Sequence, residues 1–554
     1  MIEYGCQRTV SPLPLKPRPN GQTKAVLFNS YVFIFCFLPI VLAGYALLRR
    51  GSNLLWPVGW LVLASLVYYA WWRPEFLLVL LFSITVNFAF GTLIIDGGLS
   101  RAQSRAILTI GIAFNLCLLG YFKYAGFFVA NVDSILGLQW AVPSIVLPIG
   151  ISFITFQKIA FLVDAHRGLV RNFTLLNYTF FVTFFPQLIA GPITHHSEIM
   201  PQIGPSQRRD LAADIAVGVS IFVVGLFKKV VIADSLAVYA DAGYATVKAG
   251  HPLDTASAWV TVLSYSFQLY YDFSGYSDMA VGLARTFGFQ LPVNFYSPYK
   301  SSSIIDFWRR WHITLSRFLR DYLYIPLGGN RRGTARRYLN LGIVMLLGGL
   351  WHGANWTFVI WGGLHGLMLT VNHAWRVLPL SRSLAFKTRM ADRLAVLVTF
   401  TAVTLAWVLF RSETLADAKA MLAYLWPMTA DPMGWPSFSG LLRAQFTDLR
   451  YALTLTEWFR PRELWPPILP PDYLATATRP MGFLLLGVGI ATFAMPNTYQ
   501  IFGRFNPALG LPEETLGSGI LHRLDWRVAI IVSGMFLLAV LRLSHVSPFL
   551  YYQF

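Results

Sequence analysis

Residues 338–374 read YLNLGIVMLLGGLWHGANWTFVIWGGLHGLMLTVNHA and contain no Asp, Glu, Lys or Arg. A helix that crosses a bilayer core needs about 20 mostly apolar residues, because lipid offers no partners for backbone N–H and C=O groups. We interpret 338–350 and 354–374 as two apolar helical segments, spanning or re-entrant, on either side of His352. This stretch indicates an all-α membrane protein.

The rest of the chain repeats this pattern. Of its 554 residues, 55% are hydrophobic and 13% are charged, and the mean hydropathy is +0.54. Soluble domains have roughly 45–50% apolar and about 25% charged residues. Eleven further spans are predicted, at 27–48, 53–71, 75–95, 106–126, 143–163, 174–193, 212–233, 257–283, 393–411, 482–499 and 527–545. We therefore expect a polytopic integral membrane protein with about 11–13 membrane helices, together with interfacial and re-entrant helices.

The formal charge of +18 does not indicate a nucleic-acid partner, because Lys and Arg fall between apolar spans, as the positive-inside rule describes. Membrane lipid is the expected neighbour of these residues. We predict a polar, disordered N-terminal extension at 1–25 and a single transmembrane domain at 26–554. Within that domain, the proline- and tryptophan-rich stretch 412–480 is predicted to be a polar loop with interfacial segments.

The densest polar region is 304–337, which is predicted to begin with an amphipathic interfacial helix capped by Ser303 and Asp306. Its apolar face is formed by Phe307, Trp308, Trp311, Leu315, Phe318, Leu319 and Tyr322. The opposite face carries Arg309, Arg310, Arg317 and Arg320, and Arg331, Arg332, Arg336 and Arg337 follow. This basic patch should face the cytoplasm, where it would meet lipid headgroups or the phosphates of a bound substrate.

His352 is the general-base candidate. Neutral imidazole, whose ordinary pKa is about 6.5, can take a proton from a hydroxyl group at neutral pH. Gly348, Gly349 and Gly353 are expected to loosen the helix around it. The alternative is a structural histidine that is hydrogen-bonded between helices. His312, in the arginine-rich helix, is given a supporting role.

Two carboxylates, Asp272 and Asp278, lie in an otherwise apolar segment. Six residues separate them, so they should face different sides of a helix and act in capping or in pairing with the basic patch. The adjacent His195 and His196 have no carboxylates nearby that would complete a metal site, and no metal is assigned. The candidate donor- or substrate-binding residues are Arg309, Arg310, Trp311, Arg317, Asn355, Trp356 and Asp272.

Four motifs point to one family. They are YYDFSGYSDM at 270–279, FWRRWHITLSRFLR at 307–320, DYLYIPLGGN at 321–330 and LGGLWHGANWT at 347–357. In these, and in similar stretches from about Leu27 to the C-terminus, the chain resembles the membrane-bound O-acyltransferases, and among them the bacterial alginate O-acetylases. The chain departs from the family pattern at its first residues and at 412–480.

The resemblance implies helices around an acyl-transfer tunnel, with the family's catalytic histidine at His352 and its second motif histidine at His312. It implies acetyl-CoA as a cytoplasmic donor and no bound cofactor. It also implies that acetyl groups cross the bacterial inner membrane, and that a periplasmic SGNH-like acetyltransferase, acting with the exopolysaccharide synthesis machinery, places them on a polysaccharide such as alginate.

Two alternatives remain at this stage. One is D-alanyl transfer of the teichoic-acid type, which would need an acyl-loaded carrier protein. The other is an ion or solute transporter lined by Asp272, Asp278, His312 and His352. The sequence does not identify the polysaccharide, the oligomeric state or the orientation of the termini.

Overall fold

The computed structural model of the chain describes residues 27–51, 53, 55–138, 140–141, 145–170, 173–203, 210–377, 389–426, 471–543 and 549–550. Its regular structure is helical, and the only β pairing in these ranges is an isolated bridge between Pro292 and Leu509. The predicted all-α fold is confirmed. The predicted N-terminal extension at 1–25 and the central part of the predicted polar loop, 427–470, lie outside the described residues.

The first six helices are α1 (Leu38–Leu48), α2 (Leu55–Ala70), α3 (Glu75–Asp96), α4 (Arg101–Leu119), α5 (Ala125–Leu136) and α6 (Ile151–His166). A π-helical turn at Phe33–Phe37 precedes α1, and a second at Gly120–Tyr124 joins α4 to α5. Helix α6 packs against both α3 and α4. Most of α6 is buried, whereas α3, α4 and α5 leave many apolar side chains exposed, as expected for helices that face lipid.

The next group is α7 (Leu175–Thr183), α8 (Phe185–Leu188), α9 (His196–Ile199), α10 (Leu211–Phe227), α11 (Asp234–Lys248) and α12 (Thr255–Thr286). A π-helical turn at Lys228–Ala233 joins α10 to α11. Helix α12 is the centre of the bundle, since nearly all of its 32 residues are buried. Its close packing on α10 requires glycine, because a Cβ atom at Gly225 would lie 2.6 Å from the carbonyl oxygen of Gly275.

The remaining helices are α13 (Ile304–Arg310), α14 (Ile313–Leu319), α15 (Thr334–His352), α16 (Trp356–Val377), α17 (Arg389–Arg411), α18 (Leu415–Tyr424), α19 (Pro471–Ala494), α20 (Thr498–Phe502) and α21 (Trp526–Leu541). Short helical turns also occur, among them the π-helical turn at Arg320–Tyr324 after α14. Helix α18 and the start of α19 lie within the predicted polar stretch 412–480.

Four helical runs in the described ranges are long and apolar enough to cross a membrane, namely Glu75–Asp96, Arg101–Leu136, Leu211–Lys248 and Met390–Arg411. The pair Gly482–Ala494 and Thr498–Phe505, bent by 49°, would make a fifth span. Three shorter apolar helical runs, Phe33–Leu48, Leu55–Ala70 and Trp526–Leu541, accompany them. Several such helices in one chain agree with a polytopic membrane protein.

The predicted continuous amphipathic helix after Ser303 is wrong in one respect, because it breaks at His312. This residue has a left-handed backbone (φ 43°, ψ 53°) and forms the N-cap of α14. The break is stabilised by two backbone hydrogen bonds to the segment before α13. The N–H of Ile313 donates to the carbonyl oxygen of Asn294, and the N–H of Tyr296 donates to the carbonyl oxygen of Arg310. The predicted cap is present, as the Ser303 hydroxyl accepts from the backbone N–H of Asp306.

The glycines near His352 do not loosen α15, which is helical up to His352 itself. They allow close contact with α16 instead. A Cβ atom at Gly349 would clash with the carbonyl oxygen of Phe358 and lie 3.1 Å from the Cα atom of Gly362. The two helices therefore form a tightly packed hairpin whose turn directly follows His352.

Candidate active site

His352 is the last residue of α15, and its side chain is buried. Its ring lies against three aromatic side chains, with centroid separations of 4.9 Å to Trp351, 5.2 Å to Trp361 and 5.1 Å to Phe410. Its imidazole interacts electrostatically with His312, Lys123 and His365. These aromatic walls exclude water from the imidazole.

The end of α15 is held by side chains from the π-helical turn between α4 and α5. The ammonium group of Lys123 donates to the carbonyl oxygens of Trp351 (2.5 Å) and His352 (3.1 Å). The hydroxyl of Tyr124 donates to the carbonyl oxygen of Leu350 at 3.0 Å. A helix leaves its last four carbonyl groups without partners inside the helix, so these bonds satisfy three of the four.

His312 is completely buried, and the partner of its Nδ1 atom defines its tautomer. Nδ1 lies 3.0 Å from Oδ1 of Asn294, and the same Oδ1 atom accepts from the backbone N–H and the hydroxyl of Thr314. A backbone N–H can only donate, so this atom is an acceptor and Nδ1 of the neutral imidazole carries the proton. The lone pair of the ring is then on Nε2.

The indole of Trp351 contacts both predicted histidines, with ring centroids 6.1 Å from His312 and 4.9 Å from His352. Phe153 and Phe156 pack on this indole at 5.3 Å and 5.1 Å. The structure thus brings the two candidate catalytic residues, His352 and His312, into one buried aromatic cluster. They are separated by forty positions in the sequence and belong to different helices.

A third histidine, His365 of α16, belongs to this cluster and was missed by the sequence analysis. It is completely buried, and Trp361 contacts both His365 and His352, with ring centroids 4.7 Å and 5.2 Å away. Nδ1 of His365 accepts from the indole N–H of Trp308 at 3.3 Å, so Nε2 carries the proton of the neutral ring. An ionisable residue in the predicted span 354–374 was the signal that could have identified it.

The candidate donor-binding arginines differ in their partners. Arg310 pairs with Asp306 at 3.0 Å, and Arg317 makes a bidentate pair with Glu198 at 2.6 Å and 2.9 Å. Arg309 is exposed and has no ion pair within the described residues. Two of the three predicted guanidinium groups are therefore already neutralised by an acidic side chain.

A second set of arginines surrounds His373 near the end of α16. Arg337 donates to its Nδ1 atom at 2.7 Å, and Arg376 and Arg309 also interact with this imidazole electrostatically. Arg376 donates to the hydroxyl of Ser303 at 3.2 Å. Arg337 and Arg376, like Arg309, form no ion pair in the described part of the chain.

His195 and His196 have different surroundings. Nδ1 of His195 lies 2.9 Å from the hydroxyl of Tyr322, which donates to Asp164 at 2.8 Å. Burial and the Asp164 carboxylate raise the pKa of Tyr322, so the phenol keeps its proton. His196 packs between Phe161 and Phe181.

Three other candidates have clear local roles. Trp311 is buried among aromatic rings, with its centroid 5.0 Å from that of Trp407. Oδ1 of Asn355 accepts from the backbone N–H of Thr357 at the start of α16, and its Nδ2 atom donates to the carbonyl oxygen of Glu413. Trp356 is 52% exposed, and its indole N–H donates to Oδ1 of Asn131 on α5.

The prediction that Asp272 and Asp278 pair with the basic patch is wrong. Both aspartates pair with lysines of the π-helical turn after α10. Asp272 lies 2.6 Å from Nζ of Lys229, which also pairs with Asp234 at 2.8 Å. Asp278 lies 2.6 Å from Nζ of Lys228. The basic patch is on other helices, whereas this turn packs directly on α12, which explains the difference. The expectation that the two aspartates act separately agrees with these separate lysine partners.

Comparison with known proteins identifies the family of this chain. The model of the membrane-bound O-acyltransferase family matches residues 22–410, which is well over half of the chain. The chain belongs to the membrane-bound O-acyltransferase family. It is accordingly an acyltransferase and a multi-pass membrane protein. Membership in this family decides between the enzyme and the transporter alternatives in favour of the enzyme.

Relatives within the family carry different names. A peptidoglycan O-acetyltransferase of Helicobacter pylori is 46% identical over 424 residues, which cover 72% of this chain and 79% of that protein. A probable alginate O-acetylase, AlgI, of Azotobacter vinelandii is 39% identical over 556 residues, covering 96% and 100%. A teichoic acid D-alanyltransferase of Streptococcus thermophilus is 27% identical over 287 residues, covering 47% and 68%.

Proposed function

We propose that this membrane-bound O-acyltransferase takes acetyl groups from cytoplasmic acetyl-CoA and moves them across the bacterial inner membrane for O-acetylation of an exopolysaccharide such as alginate. The observation that carries the proposal is the buried cluster in which the rings of His312 and His352 both contact Trp351. Two imidazoles in a dry aromatic environment suit proton transfer beside a thioester that water would otherwise hydrolyse.

His352 is the proposed general base. The acceptor hydroxyl attacks the thioester carbonyl while its proton passes to the imidazole. The C–S bond then breaks, the acetyl group is left on the acceptor oxygen, and the thiolate of coenzyme A takes the proton back from the imidazolium. The step begins with a thioester and an alcohol and ends with an ester and a thiol, so the histidine is regenerated.

His312 is proposed to orient the acceptor hydroxyl. Because Asn294 binds its Nδ1 proton, Nε2 can accept a hydrogen bond from that hydroxyl and guide it towards His352. The aromatic rings around both histidines bury the reacting groups.

The donor phosphates are assigned to Arg337, Arg309 and Arg376, which form no ion pair within the described residues. Arg337 is fifteen residues before His352 in α15, so at 1.5 Å per residue the two lie about 22 Å apart along the helix. A coenzyme A thioester carries its phosphates and its sulfur at opposite ends of a long molecule, so it suits two sites at opposite ends of α15. Arg309 and Arg376 would complete the phosphate site, since guanidinium groups bind phosphate with charge-assisted hydrogen bonds.

The proposed orientation of the protein in the membrane rests on the positions of its arginines. The loop before α15 and the end of α16 carry many arginines, which favours the cytoplasm for that side by the positive-inside rule. His352 is at the other end of α15, so acetyl groups would leave towards the periplasm. A periplasmic SGNH-like acetyltransferase is the proposed recipient, and it would place them on the polysaccharide.

The proposal is tested by radiolabelled acetyl transfer from acetyl-CoA in membranes that contain the wild type, His352→Gln or the control His251→Gln. His251 is an exposed histidine before α12 and is remote in sequence from the cluster. We expect label on polysaccharide with the wild type and the control but not with His352→Gln. No label from acetyl-CoA, together with transfer from D-alanyl carrier protein, would replace the proposal with D-alanyl transfer.

The acceptor is tested in the same samples by separating alginate-type polymer from peptidoglycan. Label on the exopolysaccharide supports the proposal as stated. Label on peptidoglycan alone would retain the acetyl transfer but overturn the proposed acceptor, in line with the name of the Helicobacter pylori relative.

A further inference from the structure

The last turn of α15 is bound by two consecutive residues of a distant part of the chain. Lys123 and Tyr124 come from the π-helical turn Gly120–Tyr124, more than two hundred residues before His352. Gly353, which follows α15, has an extended backbone (φ −161°, ψ 148°), so α15 ends at His352. Among the described residues, the side chains of Lys123 and Tyr124 bind the carbonyl groups of residues 350–352.

Lys123 is well placed for this role because it is partly buried and its ammonium group donates, among the described residues, to two carbonyl groups of α15. Nζ binds the carbonyl oxygens of Trp351 and His352 and lies 5.8 Å from the centre of the Trp351 ring. Within the described residues it has no carboxylate partner. A cation at the C-terminus of a helix is favoured by the helix dipole, and lysines near that terminus bind the last carbonyl groups.

We propose that Lys123 and Tyr124 are positioning residues that fix the last turn of α15 and thereby hold the His352 imidazole in place for acyl transfer. This inference rests on the proposed function of His352. Helix ends fray, and a catalytic residue at the last position of a helix would move with the fraying turn. We call the hydrogen bonds from Lys123 and Tyr124 to the carbonyl groups of residues 350–352 the clamp. A displacement of about 1 Å in a reacting group can lower a rate by about 10²-fold, so loss of the clamp should lower the rate of acyl transfer.

The hydrogen bonds of Lys123 also connect two segments that are far apart in sequence, namely the π-helical turn Gly120–Tyr124 and the end of α15. The turn containing Lys123 joins α4 to α5, and its side chains reach the hairpin of α15 and α16. Trp356, the first residue of α16, donates to Asn131 of α5 at 2.9 Å, which provides a second contact between these elements. The segment at residues 120–131 therefore contacts both sides of the turn that follows His352.

Three variants and one matched control test the clamp. Lys123→Met removes the donors with little change in volume, Lys123→Arg restores donors, and Tyr124→Phe removes one hydrogen bond. The control is Lys158→Met, because Lys158 of α6 is a lysine that is buried more deeply than Lys123 and donates to the hydroxyl of Ser83 at 2.7 Å rather than to α15. All four variants are purified in nanodiscs and compared by thermal unfolding.

The first measurement separates kcat from KM for acetyl-CoA. We expect Lys123→Met to lower kcat by about 10- to 100-fold with KM within about twofold, since the reacting group moves while the donor site is unchanged. Tyr124→Phe should lower kcat by a few-fold, and Lys123→Arg should recover at least part of it. Lys158→Met should keep the wild-type kcat per folded molecule.

The second measurement is hydrogen exchange of the peptide that covers 345–353, which does not depend on activity. Lys123→Met should accelerate exchange in the last turn of α15, and Lys158→Met should not. Unchanged exchange and unchanged kcat in Lys123→Met would overturn the clamp. Equal losses in Lys123→Met and Lys158→Met would overturn it too, since both would then reflect stability. If the wild type transfers no acetyl group, the proposed function fails, while the exchange result still decides whether the clamp exists.

Discussion

Two buried polar regions of the bundle differ in how their charges are satisfied. In the first, His312, His352 and His365 lie among Trp and Phe rings. In the second, Lys228 and Lys229 pair with carboxylates on α11 and α12 at 2.6–2.8 Å. A buried ion pair neutralises itself and is costly to break, which suits a structural role. A neutral imidazole presents one donor nitrogen and one acceptor nitrogen without a fixed charge, which suits proton transfer.

Activity in an enzyme that lacks the His352 imidazole would contradict the catalytic role of the histidine region most directly. We expect His352→Gln to lower acetyl transfer by about 10²- to 10⁴-fold, which is the usual contribution of general acid–base catalysis. The rate is compared per folded molecule, because the variant loses the ring contacts with Trp351, Trp361 and Phe410 and should unfold at a lower temperature. The measurement is initial-rate transfer from labelled acetyl-CoA. Activity near the wild-type level would assign His352 a structural role.

The ion-paired region should show the opposite pattern. Lys229→Met would leave Asp234 and Asp272 buried without their shared cation. Breaking a buried pair in this way costs about 3–5 kcal/mol, so we expect a strong loss of folded protein. Transfer per folded molecule should remain within about twofold. A specific loss of kcat in well-folded Lys229→Met would place this region in the reaction.

The tautomer of His312 offers a finer test. Asn294→Leu removes the acceptor for the Nδ1 proton, and we expect about 10- to 100-fold lower kcat because the ring is no longer oriented. Asn294→Asp keeps an acceptor at the same position and should retain more activity. Equal losses in the two variants would show that orientation by this acceptor is not the cause.

The smallest effects concern the arginines, which again divide into paired and unpaired groups. Arg337→Gln should raise KM for acetyl-CoA by about 10-fold, since a hydrogen bond to a charged group contributes about 1.5–3 kcal/mol. Arg310→Gln removes a guanidinium that is already paired with Asp306, and it should change KM little. A larger effect of Arg310→Gln would reverse the assignment of the phosphate site.

The fold could be predicted from the sequence. The long apolar spans indicated the all-α membrane fold, because length and polarity alone decide whether a helix suits lipid. His352 was predicted as the general base because an ionisable residue in an apolar span is unusual, and this role stays a prediction. The apolar face after Ser303 was also correct for Phe307 and Leu315, which are buried.

The rest depended on contacts that local patterns do not contain. The break at His312 arises from a backbone pairing with Asn294, eighteen residues earlier, so helical spacing continued through it without a signal. The partners of Asp272 and Asp278 were missed because the lysines lie on another helix, about fifty residues before them. Lys123 was missed for the same reason.

We expect acyl transfer to occur at the histidine cluster and the lysine–aspartate region to support only the fold. The most direct test is acetyl transfer per folded molecule, measured side by side for purified His352→Gln and Lys229→Met. We expect a loss of about 10²-fold or more for His352→Gln and a nearly unchanged value for Lys229→Met. The reverse order, or equal values, would contradict this expectation.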